Sequence, residues 1–333
     1  MGKLLQTMEL PLEDGKVHAW TYADPTTLLY IMCSRSRNFA DLMASSCSEG
    51  SAGCVLYSDE TTPGNQLRPD SARESLCIYH TLRELPQWFR NRLHGWFVMG
   101  FLKTNVLHTV RGGLSTLMVR VVQILFTFRH KDYSFGVGVR LPRGPGGPLF
   151  TFRAFLLCFM QDERAHKFTF DVKGSGGLKC CCECLNVLKC DPDEVPPGGY
   201  FLHVSRARPQ DFHPQTPESI RRAVARLRES YELMDQTAFT ELERVLGIGY
   251  NPDGVLFDDS VSGMCDPTRC IYEDPMHTLV ASGGCAQFEI NSFLLVLKAH
   301  KVELKVLDDF CEQVTWPTDR RNCVPRDFSK TAL

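Results

Sequence analysis

Two acidic pairs carry the first chemical suggestion in this sequence. Asp59-Glu60 closes the compact apolar run that starts at Cys54, and Asp162-Glu163 follows the phenylalanine-rich run 149–160 after Gln161. Carboxylates converging from two strand ends can hold two divalent ions about 4 Å apart, and such ions cleave phosphodiesters by activating the attacking oxygen and stabilising the leaving one. Asp59 and Asp162 are the candidate ligands. Glu60 and Glu163 stand one position away, and strand alternation would send each neighbour elsewhere. A single strand-end acid is more often only solvated, so the pairing of the two along the fold has to carry the chemistry.

A second group offers softer donors. Cys181 and Cys184 form a Cys-x-x-Cys that can grip one tetrahedral Zn²⁺, with Asp274-x-x-His277 as a ligand pair far along the chain. Cys270, Cys265, Cys190, Cys180 and Cys182 are all available to complete the site. The same thiols also suit a cluster of small buried side chains, whereas a redox pair would be expected at a helix start. The glycine-rich stretch Lys173 to Gly177 lacks the residue order of a phosphate loop and is set aside. Between positions 203 and 228 six arginines outnumber the acids Asp211 and Glu218. Arg221, Arg222, Arg226 and Arg228 fall on one predicted helix, where they could track a DNA backbone or simply solvate its outer face.

The elements that must position these residues follow from pattern. A helix is expected over 25–43, with Asp24 as N-cap and Pro25 in its first turn. Strands are expected over 54–60, 76–85 and 96–102, separated by turn-forming stretches as in an antiparallel meander. Gly112-Gly113 opens a helix over 114–128, on which Leu114, Leu117, Val121, Leu125 and Phe128 recur at helical spacing. After a Gly/Pro-rich break at 142–148, the continuous apolar run 149–160 is expected as one buried strand with acids at its tip. Thr216 caps a helix from Pro217 whose stripe runs Ile220, Val224, Leu227, Tyr231 and Met234. A further helix is expected over 286–300. Four segments result: an N-terminal helical segment 1–50, a first core part 51–172, a Cys-rich region 173–277 containing the arginine-rich helix, and a C-terminal helix and tail 278–333.

Composition bounds the possibilities. With 333 residues and 43% apolar content, the chain can bury a real core. A net charge of −2 excludes a surface that attracts nucleic acid everywhere, so DNA contact would come from local patches. Five of the fifteen cysteines crowd into 180–190, unlike a spread disulfide framework, which argues for reduced thiols and an intracellular setting. The N-terminus lacks a secretory pattern. The most apolar stretches, 96–102 and 114–128, fall short of the roughly 20 residues a spanning helix needs, so no membrane segment is expected.

An acid on the first strand, an acid after the fourth, then Cys-x-x-Cys, then Asp-x-x-His is an order that resembles the catalytic region of eukaryotic DDE DNA transposases. The Plavaka, KDZ, CACTA-like and hAT-like groups share it, and residues 57–65, 173–180 and 274–277 look like blocks of such proteins. The resemblance covers roughly residues 50 to 300. It implies an α/β (α+β) RNase H-like core, a mixed sheet flanked by helices with a Cys-rich, largely helical insertion. It also implies Mg²⁺ (or Mn²⁺) held by Asp59, Asp162 and a third acid on a later helix, for which Glu289 is the candidate. Cys181, Cys184, Asp274 and His277 would then hold a structural Zn²⁺. The implied activity is DNA strand cleavage and strand transfer in the nucleus, with a homo-oligomer left open. The family's long helical insertion before the third acid, and a separate DNA-binding finger, do not appear in this sequence. That leaves three alternatives: a C-terminally truncated, inactive form; a non-catalytic, zinc-stabilised nucleic-acid-binding remnant or domesticated transposase; or a metal-dependent nuclease that only hydrolyses.

Overall fold

The computed structural model describes residues 2–47, 50–62, 73–127, 133–188, 208–274, 279 and 285–314. The chain divides into two compact units, Met1–Tyr272 and Glu273–Leu333.

The first unit is built on a seven-stranded mixed sheet. Its strands are β1 (Leu5–Pro11), β2 (Val17–Ala23), β3 (Ala52–Thr61), β4 (Ser75–Leu82), β5 (Phe97–Lys103), β8 (Ala154–Gln161) and β9 (Ile271–Glu273), in the spatial order β1-β2-β5-β4-β3-β8-β9. A separate hairpin pairs β6 (Val139–Pro142) with β7 (Leu149–Phe152). Strands β3, β4 and β5 form the expected antiparallel meander, and β8 returns parallel to β3. Helices of this unit are α1 (Pro25–Arg35), α2 (Arg37–Ser46), α3 (Gly113–Val122), α4 (Glu163–Thr169), α5 (Pro217–Tyr231) and α6 (Gln236–Leu246). Because β5 and β8 are both parallel to β3, the chain between them must cross over, and α3 supplies that crossover. Leu117, Val121 and Leu125 bury fully against the sheet core formed by Leu56, Ile78 and Met99.

Several expected elements differ in extent, each for a local reason. The helix over 25–43 is two helices. Asp24 does cap the first, accepting from Thr27 N at 2.7 Å, but Ser36 is extended (φ −132°, ψ 111°) and serves both as the end of α1 and as the N-cap of α2. The strand over 149–160 is also two. At Arg153 the chain changes partners: Arg153 O accepts from Ala52 N while Ala154 N donates to Phe135 O. Helix 114–128 runs regularly to Val122 and continues as a π turn, Gln123–Thr127. Thr216 caps α5 in a reciprocal box with Ser219, but the apolar stripe through Met234 spans a break, since Asp235 caps a new helix, α6.

The N-terminal segment also contains the β1–β2 hairpin, which the helical reading passed over. Met8, Leu10, Trp20 and Tyr22 alternate inward across it, and Gly15 turns the chain at φ 80°. Positive φ carries little steric cost only for glycine, so the Asp14-Gly15 pair is the local signal for this turn. Among the described residues of the Cys-rich stretch there is no α-helix; it holds a short 3-10 turn and the isolated bridges Lys179↔Leu188 and Cys184↔Pro214.

In the second unit, α7 (Cys285–Ala299) and α8 (Lys305–Gln313) are the described helices. Among the described residues no helix is long and apolar enough to cross a membrane.

Candidate functional site

Parallel pairing brings the two candidate acids to one edge of the sheet. Tyr57 on β3 faces Met160 on β8, and Asp59 and Asp162 each lie two residues further along. Adjacent strands are about 4.8 Å apart, so the two acids leave the sheet as neighbours. Both line one cleft of about 1030 Å³, whose walls include Glu60, Arg111, Asp171 and Asn251.

The two acids are held differently. Tyr57 Oη donates to Asp59 Oδ2 at 3.0 Å, which places the Asp59 carboxylate on the Tyr57 side of β3; Oδ1 has no hydrogen bond among the described residues. The alternate side is occupied by buried Ser58, which accepts from Gln161 Nε2 at 2.6 Å, with Thr169 Oγ1 donating in turn to Gln161. Glu60 is exposed and accepts from Thr104 Oγ1 at 3.4 Å. Asp162 is the N-cap of α4 and accepts from Ala165 N at 2.6 Å through Oδ1, while Oδ2 has no hydrogen bond among the described residues. A cap carboxylate is fixed in direction and benefits from the positive end of the helix. Glu163 lies exposed in the first turn of α4.

Asp171, just past α4, was not singled out by sequence. No periodic or motif signal marks it, because its surroundings come from residues far along the chain. Its backbone is left-handed (φ 52°), a region that non-glycine residues occupy at a cost of about 1–2 kcal/mol. Asn251 Nδ2 donates to both carboxylate oxygens, at 3.2 and 3.1 Å, and also to Gly112 O at 3.1 Å. Burial pushes the Asp171 carboxyl up to about 7, against the lowering effects of Ser115, Asn251 and Lys173; Glu243 adds to the rise. Gly112 stands at φ 74° where α3 begins, and a Cβ there would meet Thr116 Oγ1 at 2.4 Å and Asn251 Oδ1 at 2.6 Å. Arg111 is tied to Asp253 at 2.7 Å. One end of the cleft is therefore a rigid knot of loop and helix start.

The remaining predicted residues are divided between the two units. Cys181 and Cys184 do come together: burial, followed by the Cys181 charge and a hydrogen bond with Cys181, pushes the Cys184 thiol up to about 11. The Cys184 thiol, kept protonated beside a second sulfur, is a donor that a bound divalent cation would ionise. Asp274 belongs to the second unit, and His277 and Cys190 lie outside the described residues. Glu289 is exposed on α7 in the second unit. Among the described residues, no group of three His, Cys, Asp or Glu side chains is arranged to hold a metal ion. Of the arginines on α5, Arg221 pairs with Glu218 at 2.9 Å, and Arg228 with Asp259 at 2.9 Å. Arg222 and Arg226 are exposed and form no ion pair among the described residues.

Comparison with known proteins finds no matching family model and no matching curated protein.

Proposed function

We propose that the chain is a transposase-like catalytic region with an RNase H-like core, performing metal-dependent DNA strand cleavage and strand transfer. One observation carries the reading: Asp59 and Asp162 end adjacent parallel strands beside a single cleft. Asp59 ends the first strand of the antiparallel meander and Asp162 the strand that returns after the crossover helix, the order expected of an RNase H-like acid framework. Each carboxylate has one oxygen with no hydrogen bond among the described residues, and hard oxygen donors suit Mg²⁺ or Mn²⁺. When bound, such ions activate a water or 3′-hydroxyl and stabilise the leaving oxygen.

The chain's own residues supply the rest. The Tyr57 hydroxyl and the α4 backbone aim the two carboxylates, so their placement needs no rearrangement of the sheet. Arg222 and Arg226, exposed on α5 and without an ion pair among the described residues, are the side chains suited to a DNA phosphate track. Cys181 and Cys184 would be two ligands of a structural Zn²⁺. Such a protein would work in the nucleus.

A non-catalytic nucleic-acid-binding role is the second reading. It is favoured by the finding that no three-ligand group occurs among the described residues. Titrating Mg²⁺ or Mn²⁺ against end-labelled duplex DNA separates the two. The catalytic reading expects metal-dependent nicking that disappears in Asp59→Ala; DNA binding with no nicking at any metal concentration supports the second reading and sinks the first.

A further inference from the structure

Helix α4 presents an exposed aromatic ring to the cleft. Phe168 is 48% exposed and lines the cleft together with Arg164 and Asp162. The Arg164 guanidinium carbon stands 5.8 Å from the centre of the Phe168 ring, within cation–π range. Arg164 forms no ion pair among the described residues, although Glu163 adjoins it. The opposite face of α4 is anchored. His166 is buried, with Nε2 3.2 Å from Tyr272 O, and buried Thr169 donates to Gln161. Phe168 is not part of the hydrophobic core cluster, and leaving half of an aromatic ring in water forgoes part of the burial energy it could contribute. The arrangement is an anchored helix carrying an exposed cation beside a half-exposed aromatic ring, the ring six residues from an acid at the helix's own N-cap.

We propose that Phe168 and Arg164 form a stacking platform for an unpaired nucleobase next to the scissile phosphate, Phe168 taking the base and Arg164 the neighbouring phosphate. This deepens the nucleic-acid reading above and rests on it. Six residues of helix carry the platform roughly 9 Å from Asp162, a distance that an extended strand covers in a few nucleotides. An aromatic face accepts any base, and a cation beside it compensates the phosphate charge that the carboxylates of this cleft repel. A paired base in a duplex offers no free face, so the platform selects single-stranded or locally opened DNA.

The test is fluorescence anisotropy of labelled single-stranded and duplex oligonucleotides with the full chain, Ca²⁺ replacing Mg²⁺ to prevent cleavage. Wild type is compared with Phe168→Leu, Phe168→Tyr and Arg164→Gln. Base stacking is worth about 1–3 kcal/mol, so Phe168→Leu should weaken single-strand binding by about 5- to 150-fold, with duplex binding unchanged. Phe168→Tyr should restore it, and a 2-aminopurine in the strand should lose its binding-induced fluorescence change only in Phe168→Leu. Equal single-strand affinity for wild type and Phe168→Leu overturns the proposal, as does a Tyr variant no better than Leu. Phe168-dependent binding without metal-dependent nicking would support the platform while removing the catalytic reading. Nicking that ignores Phe168 would do the reverse.

Discussion

Replacing Asp171 by Asn tests the electrostatics of the cleft through stability. Its carboxyl is shut between Ser115 and Asn251, and burial raises it from 3.8 to about 7. A carboxyl raised in the folded state binds an extra proton there, so its contribution is fully present below the unfolded pKa and is lost as pH rises through the folded one. Three pKa units at about 1.4 kcal/mol each set a ceiling of about 4 kcal/mol, of which linkage places about 2 kcal/mol between about pH 5.5 and about pH 8.5. His80 and His166 are also buried, but burial lowers them, His80 to about 3. They act in the opposite sense, costing stability as pH falls below the ordinary histidine range, so the wild-type curve alone would mix the effects. The informative quantity is the difference between Asp171→Asn and wild type, because both keep the histidines. Urea unfolding should show the variant gaining on wild type by about 2 kcal/mol from about pH 5.5 to about pH 8.5. A difference that stays flat to within about half a kcal/mol would mean that Asp171 is ionised in the folded protein and that the burial argument is wrong.

Three other outcomes follow from the geometry. Because Asp162 caps α4, Asp162→Ala should lower stability by about 0.5–2 kcal/mol while Asp162→Asn leaves it nearly unchanged, measured by thermal unfolding. Gly112→Ala places a methyl group against Thr116 and Asn251 at a left-handed position; it should destabilise by about 1–3 kcal/mol in urea and weaken whatever ligand the cleft binds. Protein purified with Zn²⁺ should retain metal by atomic absorption, and Cys181→Ser with Cys184→Ser should lose it. Equal metal content in the double variant would remove the zinc site.

Much of the scaffold was legible because its signals are local. Asp24 and Thr216 mark helix starts through side-chain caps, and the meander strands carry branched and aromatic residues between turn formers. The acids at 59 and 162 were visible because apolar runs end there. What escaped depended on single residues or on distant partners. Ser36 breaks a helix without a proline, and Arg153 divides an apolar run by changing hydrogen-bond partners, neither of which alters hydropathy. The Asp14-Gly15 turn could have been recognised, since alternation flanks it on both sides. Asp171, by contrast, is defined by Ser115, Asn251 and Gly112, each far away in sequence. Likewise, the difference between free Arg222 and Arg226 and paired Arg221 and Arg228 depends partly on Asp259, brought near by the fold.

The central claim is that Asp59 and Asp162 act together on DNA through divalent metal, and Asp162→Asn tests it most directly. Asparagine keeps the α4 cap but not the charge. With Mn²⁺ present and unfolding temperatures matched, wild type should nick supercoiled plasmid and Asp162→Asn should not. Undiminished nicking by the variant, or none by wild type, would contradict the account.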